Sequence, residues 1–181
     1  MATMSKFDWL VQIRAEFERL HGLYDRAVED LTPEQWHALP APQANHIAFT
    51  VWHYARTEDN IIRFVLQGRP TVWMEGGWAE RLGLPPKGIQ GTGMSLAEAQ
   101  ALRIGDTEAF KDYMRQVWLA TRQFLEQVDD EVLGRTFTIK PLGELRGGQA
   151  ILQVCLCHGF SHLGEITVAR SLLGLPRTTS I

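Results

Sequence analysis

Cysteine is scarce in this chain: its 181 residues contain two, Cys155 and Cys157. Two thiols one residue apart cannot form a disulfide framework, so the fold must rest on a packed core, and the composition fits a reducing, cytoplasmic setting. An excess of positive charge is also missing. Eighteen Lys and Arg against 21 Asp and Glu give a formal net charge of -3. That balance argues against nucleic acid or an acidic membrane as partner, because binding phosphate needs a basic surface. Two stretches, Trp36 to Ala55 and Gly147 to Gly164, lack charge. The first is broken by Pro40, Pro42, Gln43 and Asn45 and the second by glycines and glutamines, so neither is expected to span a bilayer. Met1 to Asp8 lacks the basic start and apolar run of an export signal. Strand patterns are nearly absent: Thr136 to Ile139 alternates, but it is too short and isolated to predict a sheet.

What is present is ordinary for a soluble globular protein, with 45% apolar and 22% charged residues in 20.5 kDa, and residues 1–181 are expected to form a single domain. The apolar residues recur at three- and four-residue steps. In the first segment these are Leu10, Val11, Phe17, Leu20, Tyr24, Ala27, Val28 and Leu31, the spacing of one helix face. Ser5 with Asp8, and Thr32 with Gln35, read as capping boxes. A second helix is predicted from an Asn45 cap to Leu66, closed by Gly68 and Pro70, and a third from Asp106 to Val128. A fourth should run from Gly147-Gly148 to about Leu173, before Gly174 and Pro176. The expected fold is therefore all-α, a four-helix bundle with a long crossover between helices two and three. The crossover, Gly68 to Gly105, is rich in Gly and Pro and carries Trp73, Met74 and Trp78. It suits either a lid over a site or an ordered link anchored by buried tryptophans.

Six histidines and six tryptophans stand out in so short a chain. Five of the histidines lie in the two charge-free stretches. His158 and His162 are four apart, so their rings project from one helix face and can share a metal ion. Buried histidines in such an apolar helix need partners, whether hydrogen-bonding groups or a metal. On helix two, Thr50, His53, Thr57 and Asn60 form a polar stripe beside the apolar face, which is costly unless it lines a pocket or pairs internally. His53 sits mid-helix, like the helix-four pair, so the three can converge. His46 lies two turns away and marks the helix start or a pocket rim. Glu165, three residues past His162, is a candidate to orient that ring or carry a proton, against the plainer reading of a surface carboxylate. Arg56, Glu58 and Asp59 read as a solvated, ion-paired face. His21 and His37 read as ordinary surface or boundary residues, and the two cysteines as small apolar residues rather than ligands. Gly159 and Gly164 suggest close approach of another helix.

Trp52-His53 followed by Glu58-Asp59, His158-x-x-x-His162-x-Gly164-Glu165-Ile166, and the Gly76 to Arg81 segment together resemble the DinB superfamily over essentially the whole chain. The resemblance implies a four-helix bundle with a long crossover, often a homodimer, with His53, His158 and His162 as ligands of a divalent metal. It also implies a link to enzymes that use low-molecular-weight thiols. Three histidines leave coordination positions open, as in a catalytic rather than a closed structural site. Nitrogen ligands suit zinc or nickel, with iron and cobalt as further options, and such an ion would activate water or a thiol. The expectation is thus a cytoplasmic metal-dependent S-transferase or hydrolase acting on a small-molecule substrate in a pocket lined by Thr50, Thr57, Trp73 and Trp78. The alternative is a non-enzymatic metal- or ligand-binding bundle, a sensor or dimerisation module.

Overall fold

The computed structural model describes residues 6–84 and 90–178. Ser5, and the capping box proposed on it, lie outside the described residues. The chain is predominantly helical. It runs α1 (Lys6–Val28), α2 (Pro33–His37), α3 (Ile47–Asp59, continued by the π-helical Asn60–Leu66), α4 (Val72–Glu75), α5 (Trp78–Leu82), α6 (Leu96–Ala101), α7 (Thr107–Gln127) and α8 (Asp130–Gly134). After β1 (Thr136–Ile139) and β2 (Gly143–Arg146) follow α9 (Gly147–Gln149), the π-helical Ala150–Cys157 and α10 (His158–Leu172), one continuous rod.

The caps explain the boundaries. Thr32 and Ser95 each make a capping box, with Gln35 and Glu98, and Asp106 accepts from the Ala109 amide to open α7. Each oxygen satisfies an amide that the first helical turn leaves without a partner. At the start of α3 the cap is His46 rather than Asn45: its Nδ1 accepts from the Phe49 amide at 3.0 Å. Gly68 then takes φ +65°, a left-handed conformation that ends the helix without a Cβ clash.

Thr136 to Ile139 is a strand after all. It pairs antiparallel with Gly143–Arg146 in the register Thr136↔Arg146 to Ile139↔Gly143. The partner, Gly-Glu-Leu-Arg, shows no apolar alternation because the hairpin is largely exposed, so no hydrophobic pattern marks it. Only Ile139 is buried in the core.

The core gathers one face from each long segment: Phe17, Leu20 and Tyr24 of α1, Val51, Trp52 and Tyr54 of α3, Phe110, Tyr113 and Val117 of α7, and Leu163 and Ile166 of α10. α3 packs on both α7 and α10, and α1 on the same two. Tyr24 stacks on Tyr54 at 4.6 Å and donates its hydroxyl to the Gly159 carbonyl at 2.9 Å. Gly159 permits this approach, since a Cβ there would stand 2.7 Å from Leu20 and Tyr54. Gly164 has nothing within 4 Å of a Cβ position, so the close-approach reading holds for the first glycine and not the second. At the far end Arg170, 1% exposed, donates to the Ala27 carbonyl and to both carboxylate oxygens of Asp30. A cation there meets the carbonyl end of α1. Among the described residues no helix is long and apolar enough to cross a membrane.

Candidate metal centre

His53 on α3 and His158 and His162 on α10 come together where these helices pack. Their ring centroids lie 5.3 Å (His53–His158), 5.0 Å (His53–His162) and 4.3 Å (His158–His162) apart. One nitrogen from each falls within 4.8 Å of the others, and all three residues are half-buried. The group could hold a metal ion.

Each ring's outer nitrogen shows how the inner one is presented. The Nδ1–H of His53 donates to the Gln90 carbonyl. The Nδ1–H of His162 donates to Glu165 Oε2 at 2.9 Å. With Nδ1 occupied, Nε2 is left in both rings with its lone pair free, the arrangement that fixes a ligand tautomer. His158 Nε2 faces His162 Nε2 at 2.8 Å, and the Nδ1 of His158 is buried without a partner. At that distance two lone pairs repel, so either the Nε2–H tautomer of His158 donates to His162 Nε2 or a metal ion takes both lone pairs. A common ion at about 2.1 Å from each ring would do the latter. The donor set therefore fits a divalent metal.

Electrostatics favour the neutral, ligating form of the rings. Burial, then the neighbouring imidazoles His162 and His53, lower the His158 pKa to about 4. Burial is also the main cause that lowers His53, with His162 adding to it. The hydrogen bond from His162 holds the Glu165 carboxyl below its usual value. Glu165 is 55% exposed, so it stands between the cluster and solvent. Cys155 is fully buried and burial pushes its thiol up, whereas Cys157 is exposed. Neither belongs to the cluster.

The other expected site residues divide. Thr50, buried, lines a cavity of about 410 Å3 with Asn45, Glu165, Val168 and Leu172, next to the histidines through Glu165. Thr57 is buried with its hydroxyl unpartnered. Trp73 and Trp78 are almost wholly buried and their ring contacts are with Tyr113, at 5.1 and 5.7 Å. Among the described residues of the crossover, Gln90 and Gly91 reach the histidines. Gly91 has φ +93°, and a Cβ there would stand 2.9 Å from His53 Nδ1 and 3.1 Å from Phe49. Phe49 in turn lies parallel to the His53 ring. A carbonyl ligand to a histidine leaves no side-chain signature; the one available hint was a glycine in a Gly-rich link.

Arg56, Glu58 and Asp59 do not form a solvated face: they are 4%, 0% and 1% exposed. Glu58 accepts from Thr121 at 2.5 Å, from His21 Nε2 at 3.0 Å and from the Tyr54 hydroxyl. Asp59 accepts from the Val72 and Trp73 amides at 2.8 and 2.9 Å and from Tyr113 at 3.0 Å. Arg56 lies over the Trp73 ring at 4.4 Å and 3.7 Å from Asp59 Oδ2, so these charges are paired, but inside the protein. His21, expected at the surface, is 8% exposed and stacked on Trp118. His37 is a connector, accepting from the Ile104 amide through Nε2. Charge runs on a helix usually face water; here long-range partners on α1, α4 and α7 take the charges inside, and no local pattern names them.

The fold matches a crystal structure of a conserved protein from Enterococcus faecalis with a TM-score of 0.78 at 20% identity, over 90% of this chain and 96% of that one. No curated protein matches the chain. The family model of the DinB superfamily matches residues 16–166, a span that includes α3, α7, all three histidines and Glu165. The chain belongs to the DinB superfamily.

Proposed function

We propose that this protein is a divalent-metal-dependent enzyme whose metal, zinc or nickel before iron or cobalt, is held by His53, His158 and His162. The observation that carries the reading is the inward presentation of free ring nitrogens whose outer nitrogens are tied to Gln90 and Glu165. Three protein ligands leave coordination open, the pattern of catalytic rather than structural sites. When bound, the ion supplies Lewis acidity that lowers the pKa of a coordinated water or thiol. The chain does the rest. Gln90 and Glu165 fix the tautomers of His53 and His162. Glu165, at the edge of the cluster and open to solvent, can carry a proton to or from a reacting group. The cavity beside Thr50 and Glu165 takes a small-molecule substrate, with buried Thr57 further along the same helix, and Trp73 and Trp78 anchor the crossover against Tyr113. The reaction class is a thiol-dependent S-transfer or a small-molecule hydrolysis.

The same reading includes a single domain over residues 1–181, built as a four-helix bundle of α1, α3, α7 and the α9–α10 rod with the crossover between α3 and α7. The pairwise packing of those four segments supports it. It further includes a cytoplasmic homodimer. Metal analysis of protein purified without a histidine tag tests the central claim. About one equivalent per chain is expected, either as purified or after zinc or nickel is added. Less than about a tenth of an equivalent after both treatments overturns it.

A further inference from the structure

A second polar centre lies further along α3, where Glu58 meets His21 of α1 and Thr121 of α7. Glu58 has no solvent exposure, yet one of its partners reaches the surface: His21 forms part of the floor of a cavity of about 350 Å3 between α1 and α7. His21 Nε2 is committed to both Glu58 oxygens, so Nδ1 is the nitrogen left for a ligand. A buried carboxylate behind an imidazole fixes its tautomer and orientation. Such buried pairs add little stability over apolar residues of the same volume, although removing one partner alone is costly.

The walls of the cavity are oppositely charged. α1 contributes Glu18 and Asp25, seven residues apart, and α7 contributes Arg115 and Arg122, also seven apart. The walls do not neutralise each other. Arg115 bonds Asp112 of its own helix at 2.6 Å, and Asp25 accepts from Trp118 Nε1 at 3.0 Å. Among the described residues Glu18 and Arg122 have no partner. The floor is the parallel His21–Trp118 pair, with ring centroids 4.1 Å apart, and Leu119, 42% exposed, lies beside it.

We propose that this groove is a ligand site separate from the metal centre and that it takes a small zwitterion of the free amino-acid class. The ammonium lies over His21 between Glu18 and Asp25. The carboxylate lies on the Arg122 guanidinium, whose planar fork matches it, and the apolar side chain rests on Leu119. A molecule carrying one charge meets a repelling wall, so both charges are needed.

The test is calorimetry and thermal melting with the free proteinogenic amino acids one at a time. The amide and the N-acetyl derivative of the tightest binder follow. At least one free amino acid binds saturably and raises Tm, and each derivative binds at least about tenfold more weakly. Arg122→Gln and Glu18→Gln, both at exposed positions, fold as the wild type does and also bind at least about tenfold more weakly. His53→Ala binds as tightly as wild type, which keeps this result distinct from failure of the metal centre. Three results overturn the proposal: no saturable binding by any free amino acid, wild-type affinity in Arg122→Gln, or loss of binding in His53→Ala.

Discussion

Two groups of polar side chains share α3, and they differ in what they lack. Around Glu58 and Asp59 the carboxylates are enclosed by donors: Thr121, His21 and, from α3 itself, Tyr54 for one, two amides and Tyr113 for the other. Around His53, His158 and His162 the outer nitrogens of two rings have partners, while the inner nitrogens face one another. The two carboxylates are satisfied within the chain; the facing ring nitrogens of the histidines share one hydrogen or a metal ion. Burial is complete at the carboxylates and partial at the histidines, a difference of degree that does not by itself distinguish structure from function. Whether the lone pairs are satisfied does.

The comparison breaks first, and with the largest effect, at Glu58. Glu58→Ala leaves His21, Tyr54 and Thr121 without their acceptor, and unpartnered groups in the interior are costly. A loss of about 4 kcal/mol is expected, read as a lower urea midpoint at unchanged slope. Metal content per folded chain should be unaffected. A loss below about 1 kcal/mol would mean that the network is not the structural half of the pair.

His158→Ala should behave in the opposite way. Without metal its stability is expected within about 1 kcal/mol of wild type, because the hydrogen bond it loses, Nε2 to His162 Nε2, is part-buried and such a bond is worth about 1 kcal/mol. With metal at about a hundred times its dissociation constant the wild type gains about 2.7 kcal/mol and the variant gains nothing. Thermal melts with and without zinc or nickel separate the two. An equal deficit in both conditions would place His158 among structural residues.

Gly91→Ala touches both halves at once and with a smaller effect. At φ +93° any side chain is strained, and this Cβ meets His53 Nδ1 at 2.9 Å. A cost of about 1–2 kcal/mol is expected. Displacing the Gln90 carbonyl should also weaken metal binding about tenfold, through loss of the group that orients His53. Competition with a chromophoric chelator measures the second effect, urea titration the first.

Much of this was legible from residue spacing and some was not, for physical reasons. The long helices follow from apolar periodicity and from caps such as Asp106 and Thr32, which act within a few residues. The i, i+4 pair His158 and His162 follows from helix geometry alone. What local pattern cannot show is a partner far along the chain. Glu58, Asp59 and Arg56 read as a solvated face because Thr121, Tyr113 and Trp73 are distant in sequence. The exposed hairpin strand Gly143–Arg146 has no buried face to pattern it. The Gln90 contact is made by backbone, which every residue has. The π-helical turns at Asn60–Leu66 and Ala150–Cys157 also shift which side chains share a face, relative to an α-helical count.

The smallest expected effect separates burial from pairing among the carboxylates. Burial is the largest influence on Asp59 and raises its pKa despite three donors. The folded state therefore holds that proton more tightly than the unfolded chain, whose value is about 3.9. The associated stability is full below that value and is lost as pH rises through the raised one. Asp30 is the reverse case: the Arg170 hydrogen bond lowers it, so its stability is present above about 3.9 and is lost as pH falls through the lowered value. Asp30 is also 47% exposed, which screens the pair and holds its worth at pH 7 to less than about 1 kcal/mol. Urea titrations between about pH 3 and pH 6 should then give opposite trends. The deficit of Asp30→Asn relative to wild type grows with rising pH, and the deficit of Asp59→Asn shrinks. If both deficits grew, Asp59 would be governed by its donors rather than by its burial, and the satisfied half of α3 would be a hydrogen-bonded anion site in place of a desolvated one.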